Sequence, residues 1–343
     1  MSRLVAEISE QPAALDRLVT TSGGHIRGVG AALAGVRGVL LVARGSSDNA
    51  ARYAQYLLGY SAGVPALLAT PSLLTVYHTA PRLEGFAVIA VSQSGQSPDI
   101  LAVLEDARAQ GCPTVAVTND TASPLAAAAT HVVDLCAGPE RSVAATKTYV
   151  NSLAALALLT SGLAGQPGLA EDLARLPGTM DRALQQAWAA TAPLARLRYA
   201  LQCVTVARGF EYATAFEVAL KVKELAGVIA EPYSAADLLH GPIAAVGPGL
   251  PVVLIAPRGR AGATLAALRQ TLRARGAEII AITDDADTQA DATCTLPLPS
   301  GVPEPLTPLV SVLPGQVLAV TLTRDRGADP DEPVGIAKVT RTR

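Results

Sequence analysis

Aromatic side chains are scarce: one Trp, three Phe and eight Tyr amount to 3% of the 343 residues, although half of the chain is apolar. The core must therefore be assembled from Ala, Val, Leu and Ile. An excess of charge of one sign is missing too, with 27 basic residues against 29 acidic ones, interspersed along the chain. That excludes the basic face or stripe by which nucleic-acid binding usually announces itself. Cysteine is sparse and scattered: Cys112, Cys136, Cys203 and Cys294 form no CxxC pair. Isolated thiols without a disulfide framework fit a reducing compartment. The segment from Met1 to Glu10 lacks the apolar stretch of a signal peptide. Mean hydropathy is high at +0.33, yet no run approaches the roughly 20 apolar residues of a membrane helix, and 153–159 reads as the middle of a buried helix. Four histidines (His25, His78, His131, His240) show no metal-ligand spacing, and the first three are expected to be structural. The expectation is a soluble, cytoplasmic protein with no metal or cofactor, no nucleic-acid partner and no membrane.

The length suggests two domains, and the chain repeats itself. Leu40-Leu-Val-Ala-Arg-Gly corresponds to Val204-Thr-Val-Ala-Arg-Gly, with Arg44 and Arg208 lying 164 residues apart. Ala87-Val-Ile-Ala-Val-Ser-Gln-Ser-Gly corresponds to Pro251-Val-Val-Leu-Ile-Ala-Pro-Arg-Gly, and Gly111-Cys-Pro-Thr-Val-Ala-Val-Thr to Gly276-Ala-Glu-Ile-Ile-Ala-Ile-Thr. Three matches in one order at nearly one offset indicate a duplicated domain. Short Val/Ile/Leu runs at 39–42, 87–91, 114–117 and 132–135 read as strands buried on both faces. Stretches 50–60 and 99–110 carry helical spacing. The alternation predicts an α/β fold in which each copy is a parallel sheet between helical layers, flavodoxin-like or Rossmann-like. The expected divisions are a helical lead over 1–38, a first domain over 39–165, a helical linker over 166–200, a second domain over 201–323 and a tail over 324–343 crossing the surface.

Two loops of the first copy are rich in hydroxyls: Gly45-Ser46-Ser47-Asp48-Asn49 and Ser92-Gln93-Ser94-Gly95-Gln96-Ser97-Pro98. Pro98 suits a first helical position with Ser97 as its cap. A strand end, small hydroxyls and a helix start together offer neutral donors to an anion such as a monophosphate; the alternative is an ordinary capped turn. The second copy reads Pro257-Arg258-Gly259-Arg260 at the equivalent place, as expected if one phosphate is bound per chain. Neither loop fits a dinucleotide or P-loop fingerprint.

The second copy is specialised otherwise. In Glu217-Val-Ala-Leu-Lys221-Val-Lys-Glu224, Lys221 and Glu224 share a helix face. The positions 164 residues earlier are Leu57 and Tyr60, so the fold does not require these charges. His240 precedes Gly241-Pro242, which end any helix there. Each feature alone is compatible with a surface ion pair and a loop histidine.

Together with Ala137-Gly-Pro-Glu-Arg-Ser-Val-Ala-Ala-Thr-Lys147 and the terminal Ala337-Lys338, these motifs resemble the tandem sugar isomerase (SIS) domains of glutamine–fructose-6-phosphate aminotransferases and of stand-alone SIS-type glucosamine-6-phosphate deaminases. The resemblance runs from about Glu7 to Lys338. It implies that Ser46, Ser47, Ser92, Gln93, Ser94 and Ser97 hold a sugar phosphate, and that Val143 and Ala337 line the sugar through their backbone. It further implies that Glu224 moves the proton between C1 and C2 and that His240, supplied by the neighbouring subunit of a homodimer, assists ring opening. Lys338, on a tail that completes the active site, would reach the carbonyl or imine carbon, with Lys221 supporting the same region. Ala145 stands where the family often has serine, and Arg44 where a smaller residue is common; either could shift substrate preference.

With Ser2 near its start and Cys112 as its first cysteine, the chain is not expected to release ammonia from glutamine. The leading expectation is therefore the reverse chemistry, glucosamine 6-phosphate to fructose 6-phosphate and ammonia. His240 would open the ring, Glu224 would act as acid–base, and Lys221 and Lys338 would stabilise the enediol oxyanion. A fructosamine-6-phosphate deglycase or related phosphosugar isomerase would use the same residues. A sugar-phosphate sensor would keep the serine loop without needing Glu224, His240 and Lys338, and no helix-turn-helix segment precedes residue 39.

Overall fold

The computed structural model describes residues 2–338. The chain forms two compact units, each discontinuous in sequence. The first comprises Ala13–Arg141, Ala145–Arg175 and Ala337–Arg343; the second comprises Met1–Pro12, Ser142–Ala144 and Leu176–Ile336.

The first unit contains β1 (Gly38–Val42), β2 (Ala66–Leu68), β3 (Phe86–Val91), β4 (Thr114–Thr118) and β5 (His131–Asp134), in the spatial order β2-β1-β3-β4-β5. Every pairing is parallel. The second holds β6 (Gln202–Ala207), β7 (Ile229–Ser234), β8 (Pro251–Ile255), β9 (Glu278–Thr283) and β10 (Cys294–Pro297), in the order β7-β6-β8-β9-β10, again all parallel. The two orders are the same, so the duplication read in the sequence is a duplication of topology. Residues of β1, β4 and β8 are buried throughout, which is why those strands read as unbroken apolar runs. Leu40, Val42, Val88, Ala90, Val103 and Leu104 pack together in the first unit. Val206, Val252, Leu254, Leu268, Leu272 and Ile279 do so in the second.

The differences from expectation lie at edges. Neither β2 nor β7 was foreseen. β2 is three residues long, and β7 carries Glu231 and Pro232 opposite Val204 and Thr205, a proline position that only an edge strand tolerates. The helix expected over 50–60 starts at Ser46 and ends at Leu57, continuing as a π turn, Leu58–Ala62, that Gly63 stops in the left-handed region (φ +65°). The helix expected over 99–110 is Pro98–Ala109, with Ser97 at the cap position but no capping bond from its side chain.

One expectation is corrected. The segment Glu304–Asp325 has the length and hydropathy (1.5) of a membrane span, and 94% of its most apolar stretch is buried inside the protein. It was overlooked because Pro314, Gly315 and Gln316 interrupt its apolar run. The helix Thr307–Asp325 packs on the helix Glu211–Ala226 so closely that a Cβ on Gly315 would lie 2.2 Å from Val218 Cγ2. Its Ser311 Oγ donates to the buried Glu211 carboxylate at 3.0 Å. Gln316 exchanges amide bonds with Gln11 at 2.7 and 3.2 Å. Beyond this helix, Asp331 accepts from Ser2 Oγ and the backbone N–H groups of Arg3 and Leu4. Burial would raise its pKa, but those donors hold it below the ordinary range.

In the first unit the helices Gln11–Ala32 and Lys147–Leu163 meet backbone to backbone. A Cβ on Gly30 would stand 2.0 Å from the Leu159 carbonyl oxygen, and one on Gly162 would stand 2.0 Å from that of Arg27.

Two predictions follow from this packing. Ala for Gly within a helix ordinarily favours it by about 1 kcal/mol, but Gly30→Ala should lower Tm, since overpacking typically costs about 1–3 kcal/mol; an unchanged Tm in a thermal melt would contradict the contact. Glu211 is fully buried, and that burial, reinforced by Glu304, outweighs the hydroxyls of Thr214, Thr307 and Ser311 to raise its carboxyl pKa. A carboxyl raised on folding contributes stability that is complete below its unfolded value, about 4.3, and is lost as pH rises through the folded one. Glu211→Gln should therefore raise Tm at pH 8, with the gain shrinking toward pH 5. A gain that instead grows on acidification would refute this.

Candidate active site

In this strand order the chain leaves the central strands in opposite directions, which makes the carboxyl ends of β1 and β3 the topological switch point where open α/β sheets bind ligands. Both serine loops of the first unit leave from those two strand ends. Gly45 has φ +55° and lets Ser46 begin the helix Ser46–Leu57 directly after Arg44. In the second loop Ser92 Oγ accepts from Gly95 N at 3.2 Å and Ser94 Oγ from Gln96 N at 3.4 Å, while Gln93 O accepts from Asn119 N at 3.1 Å. Gly95, at φ +61°, presses on Ser123 so tightly that a Cβ would come within 2.1 Å of its Oγ. Ser92 is buried; Ser46, Ser47, Gln93, Ser94 and Ser97 are half-buried. Arg44, noted as a departure from the family pattern, bonds Asp99 through Nε and Nη2 at 2.7 Å. Asp99 is buried in the first turn of Pro98–Ala109, so Arg44 ties one loop to the other and its charge is already matched.

At the corresponding place in the second unit the serines are absent, and the protein supplies a carboxylate of its own. Glu304 Oε1 accepts from Ala261 N at 2.8 Å, and a Cβ on Gly259 would meet Glu304 Cδ at 2.7 Å. Glu211 stands where the first copy has Ser47, 164 residues earlier. Glu211 and Glu304 thus line a cavity of about 10 Å³ at that place in the second unit.

The second unit instead carries the charged helix Glu211–Ala226. Lys221 Nζ lies 2.5 Å from Glu224 Oε2 and 3.5 Å from Glu217 Oε1. The side chains of Lys221 and Glu217 are 1% and 0% exposed, and Glu224 is 24% exposed. A buried ammonium is tolerable only when paired, and Glu217 completes the pairing. Its i, i+4 spacing to Lys221 was readable in the sequence but went unused. His240 follows the short helix Ala235–Leu239, its N–H donating to Ala236 O and Asp237 O, with Gly241 (φ +149°) breaking the chain after it. Its ring is exposed. Ser234 caps that helix, accepting from Asp237 N at 3.2 Å.

The motif around 137–148 is organised by two buried glutamates that sequence reading passed over. Glu140 gathers Thr146 and Thr148 from the first unit and pairs with Lys338 of the tail at 3.0 Å. Burial would raise its carboxyl pKa, but Lys338 and the bonds from Thr148 and Thr146 prevail and lower it. Glu7 accepts from Ser142 N at 3.2 and 3.4 Å, fixing the backbone next to Val143 in the second unit. Ala337 is exposed and Lys338 half-buried. Of the residues singled out, Ser46, Ser47, Ser92, Gln93, Ser94, Ser97, Ala337 and Lys338 thus belong to the first unit, and Val143, Lys221, Glu224 and His240 to the second.

Comparison with known proteins identifies the family and the fold. The chain is 34% identical over 337 residues to a glutamine–fructose-6-phosphate aminotransferase (isomerizing) of Methanothermobacter thermautotrophicus, an alignment covering 98% of this chain and 56% of that protein. The chain therefore spans little more than half the length of that curated relative. Among solved structures, a candidate phosphosugar isomerase from Silicibacter pomeroyi is 36% identical with a TM-score of 0.86, covering 96% of this chain and 100% of that one. The C-terminal domain of glucosamine-fructose-6-phosphate aminotransferase from Francisella tularensis is 25% identical with a TM-score of 0.88, covering 97% and 98%. The SIS domain profile matches twice, over residues 32–162 and 197–323, once for each parallel sheet, and the chain belongs to the SIS domain family.

Proposed function

We propose that the protein is a phosphosugar isomerase that moves a proton between C1 and C2 of its substrate, and that with glucosamine 6-phosphate it releases fructose 6-phosphate and ammonia. The observation that carries this reading is the Glu217–Lys221–Glu224 cluster. One cation held between two carboxylates is a costly feature for a fold whose other copy does without it, and Glu224 is the member left partly open.

Each group has a role its chemistry allows. The serine loops receive the phosphate through hydroxyls and backbone N–H groups. Glu224 takes the C2 proton and returns it at C1, an acid–base contribution of about 10² to 10⁴-fold. Lys338 stabilises the oxyanion of the enediol-like intermediate, Lys221 supports that region from behind by holding Glu224, and His240 passes a proton between the ring oxygen and the C1 hydroxyl. The C2 imine then adds water and expels ammonia. The exposed His240 ring, beside the exposed Leu239, is suited to serve a second copy, and a homodimer is part of the proposal.

Ammonia release from glucosamine 6-phosphate should be rapid in the wild type and fall by about 10² to 10⁴-fold in Glu224→Gln, with fructose 6-phosphate still bound. Binding without release, followed by turnover of fructosamine 6-phosphates, would replace the deaminase by a deglycase; binding without any turnover would leave a sensor. Separately, mixing the inactive Glu224→Gln and His240→Ala chains should restore about a quarter of wild-type sites through random pairing in a symmetric dimer. Absence of complementation in a mixture shown to exchange subunits would place His240 in its own chain's site.

A further inference from the structure

Glu140 is a buried carboxylate to which the proposed reaction assigns no step. Its side chain is 0% exposed, so it cannot touch a substrate. Oε1 accepts from Thr146 N and Thr148 N, both at 3.0 Å, and from Thr146 Oγ1 at 3.4 Å. Oε2 accepts from Thr148 Oγ1 at 2.6 Å and from Lys338 Nζ at 3.0 Å. Four of these five donors come from the start of the helix Lys147–Leu163, which is buried along nearly its whole length. The carboxylate is therefore rigidly held, and the fifth donor arrives from 198 residues away. Among the described residues the tail is held farther back, where Asp331 accepts from Ser2, Arg3 and Leu4, while next to the fifth donor Val334 is 95% exposed and Ile336 42%. A flexible four-carbon stem on an exposed segment is located by its ion pair rather than by packing.

We infer that Glu140 is the positioning residue for Lys338: its carboxylate docks the tail ammonium on the first unit and so fixes where Lys338 stands when it acts on the sugar. The catalytic half of this inference rests on the proposed function; the docking half does not. Lys338, Thr146 and Thr148 keep the Glu140 carboxyl below its ordinary range despite burial, so the dock is charged at neutral pH.

The test compares the full-length wild type with Glu140→Gln, Lys338→Gln, the double variant and Lys338→Arg. Hydrogen exchange over 333–338, beyond the segment that Asp331 ties to Ser2, Arg3 and Leu4, reads docking. Deuterium entry at C1 of fructose 6-phosphate in D2O reads proton transfer whether or not ammonia is ever released. Glu140→Gln and Lys338→Gln should each deprotect the tail, and Lys338→Arg should keep it protected. Each Gln variant should lower kcat for C1 exchange about 100-fold, the scale of a misplaced reacting group, with KM nearly unchanged, and the double variant should be no slower than Lys338→Gln alone. A Glu140→Gln protein with a protected tail and wild-type kcat, or single losses that multiply in the double variant, would overturn the inference. Should Glu140→Gln not fold, Lys338→Gln still decides docking, since a tail that stays protected without its ammonium is not held by Glu140. A wild type that exchanges no deuterium would sink the proposed function together with the catalytic half, while the exchange protection would still confirm or refute the dock.

Discussion

A strand that lies parallel to its neighbour cannot turn straight back into it; the chain must cross a face of the sheet first, usually as a helix. Both units obey that constraint at every pairing. The crossings cover both faces of the sheets with apolar side chains, which is why a chain with so few aromatics can build its cores from Val, Ile, Leu and Ala. They also send every loop at the carboxyl ends of the strands into a helix start, so polar residues accumulate where β1 and β3 diverge. The serine loops are a consequence of topology before they are a consequence of function.

The same topology occurs twice, and the two copies settle the switch point differently. The first lines it with small hydroxyls and binds its two loops through Arg44 and Asp99. The second fills the equivalent region with Glu304 against Ala261 N–H and with Glu211 in place of Ser47, and concentrates charge further along the following helix, at Glu217, Lys221 and Glu224. Duplication thus freed each copy from carrying the whole set of polar groups. The closely packed helix Thr307–Asp325 steadies the charged helix through Gly315 against Val218 and through Ser311 on Glu211.

Much of this was legible in the sequence. Strands buried on both faces appear as unbroken apolar runs, and β1, β3, β4 and β5 were placed within a residue or two. The serine loops and the Lys221–Glu224 spacing stood out because the repeat supplied an internal contrast. What escaped had physical reasons. β2 and β7 are edge strands whose short or proline-bearing sequences carry no alternation. Glu140 and Glu304 act through partners distant in the chain, which no local pattern encodes. Glu217 was adjacent to the motif but reads as an ordinary helix-surface acid until its burial is known. The helix Thr307–Asp325 looked too interrupted to be one long apolar element, because Pro314 and Gln316 are uncommon in a core.

The bonds that Asp331 accepts from Ser2, Arg3 and Leu4 join the two ends of the described chain. Whatever is appended ahead of Ser2, an affinity tag and its linker included, is attached beside the segment that leads to Lys338. Crowding there would be transmitted along the tail without altering any residue of the proposed site.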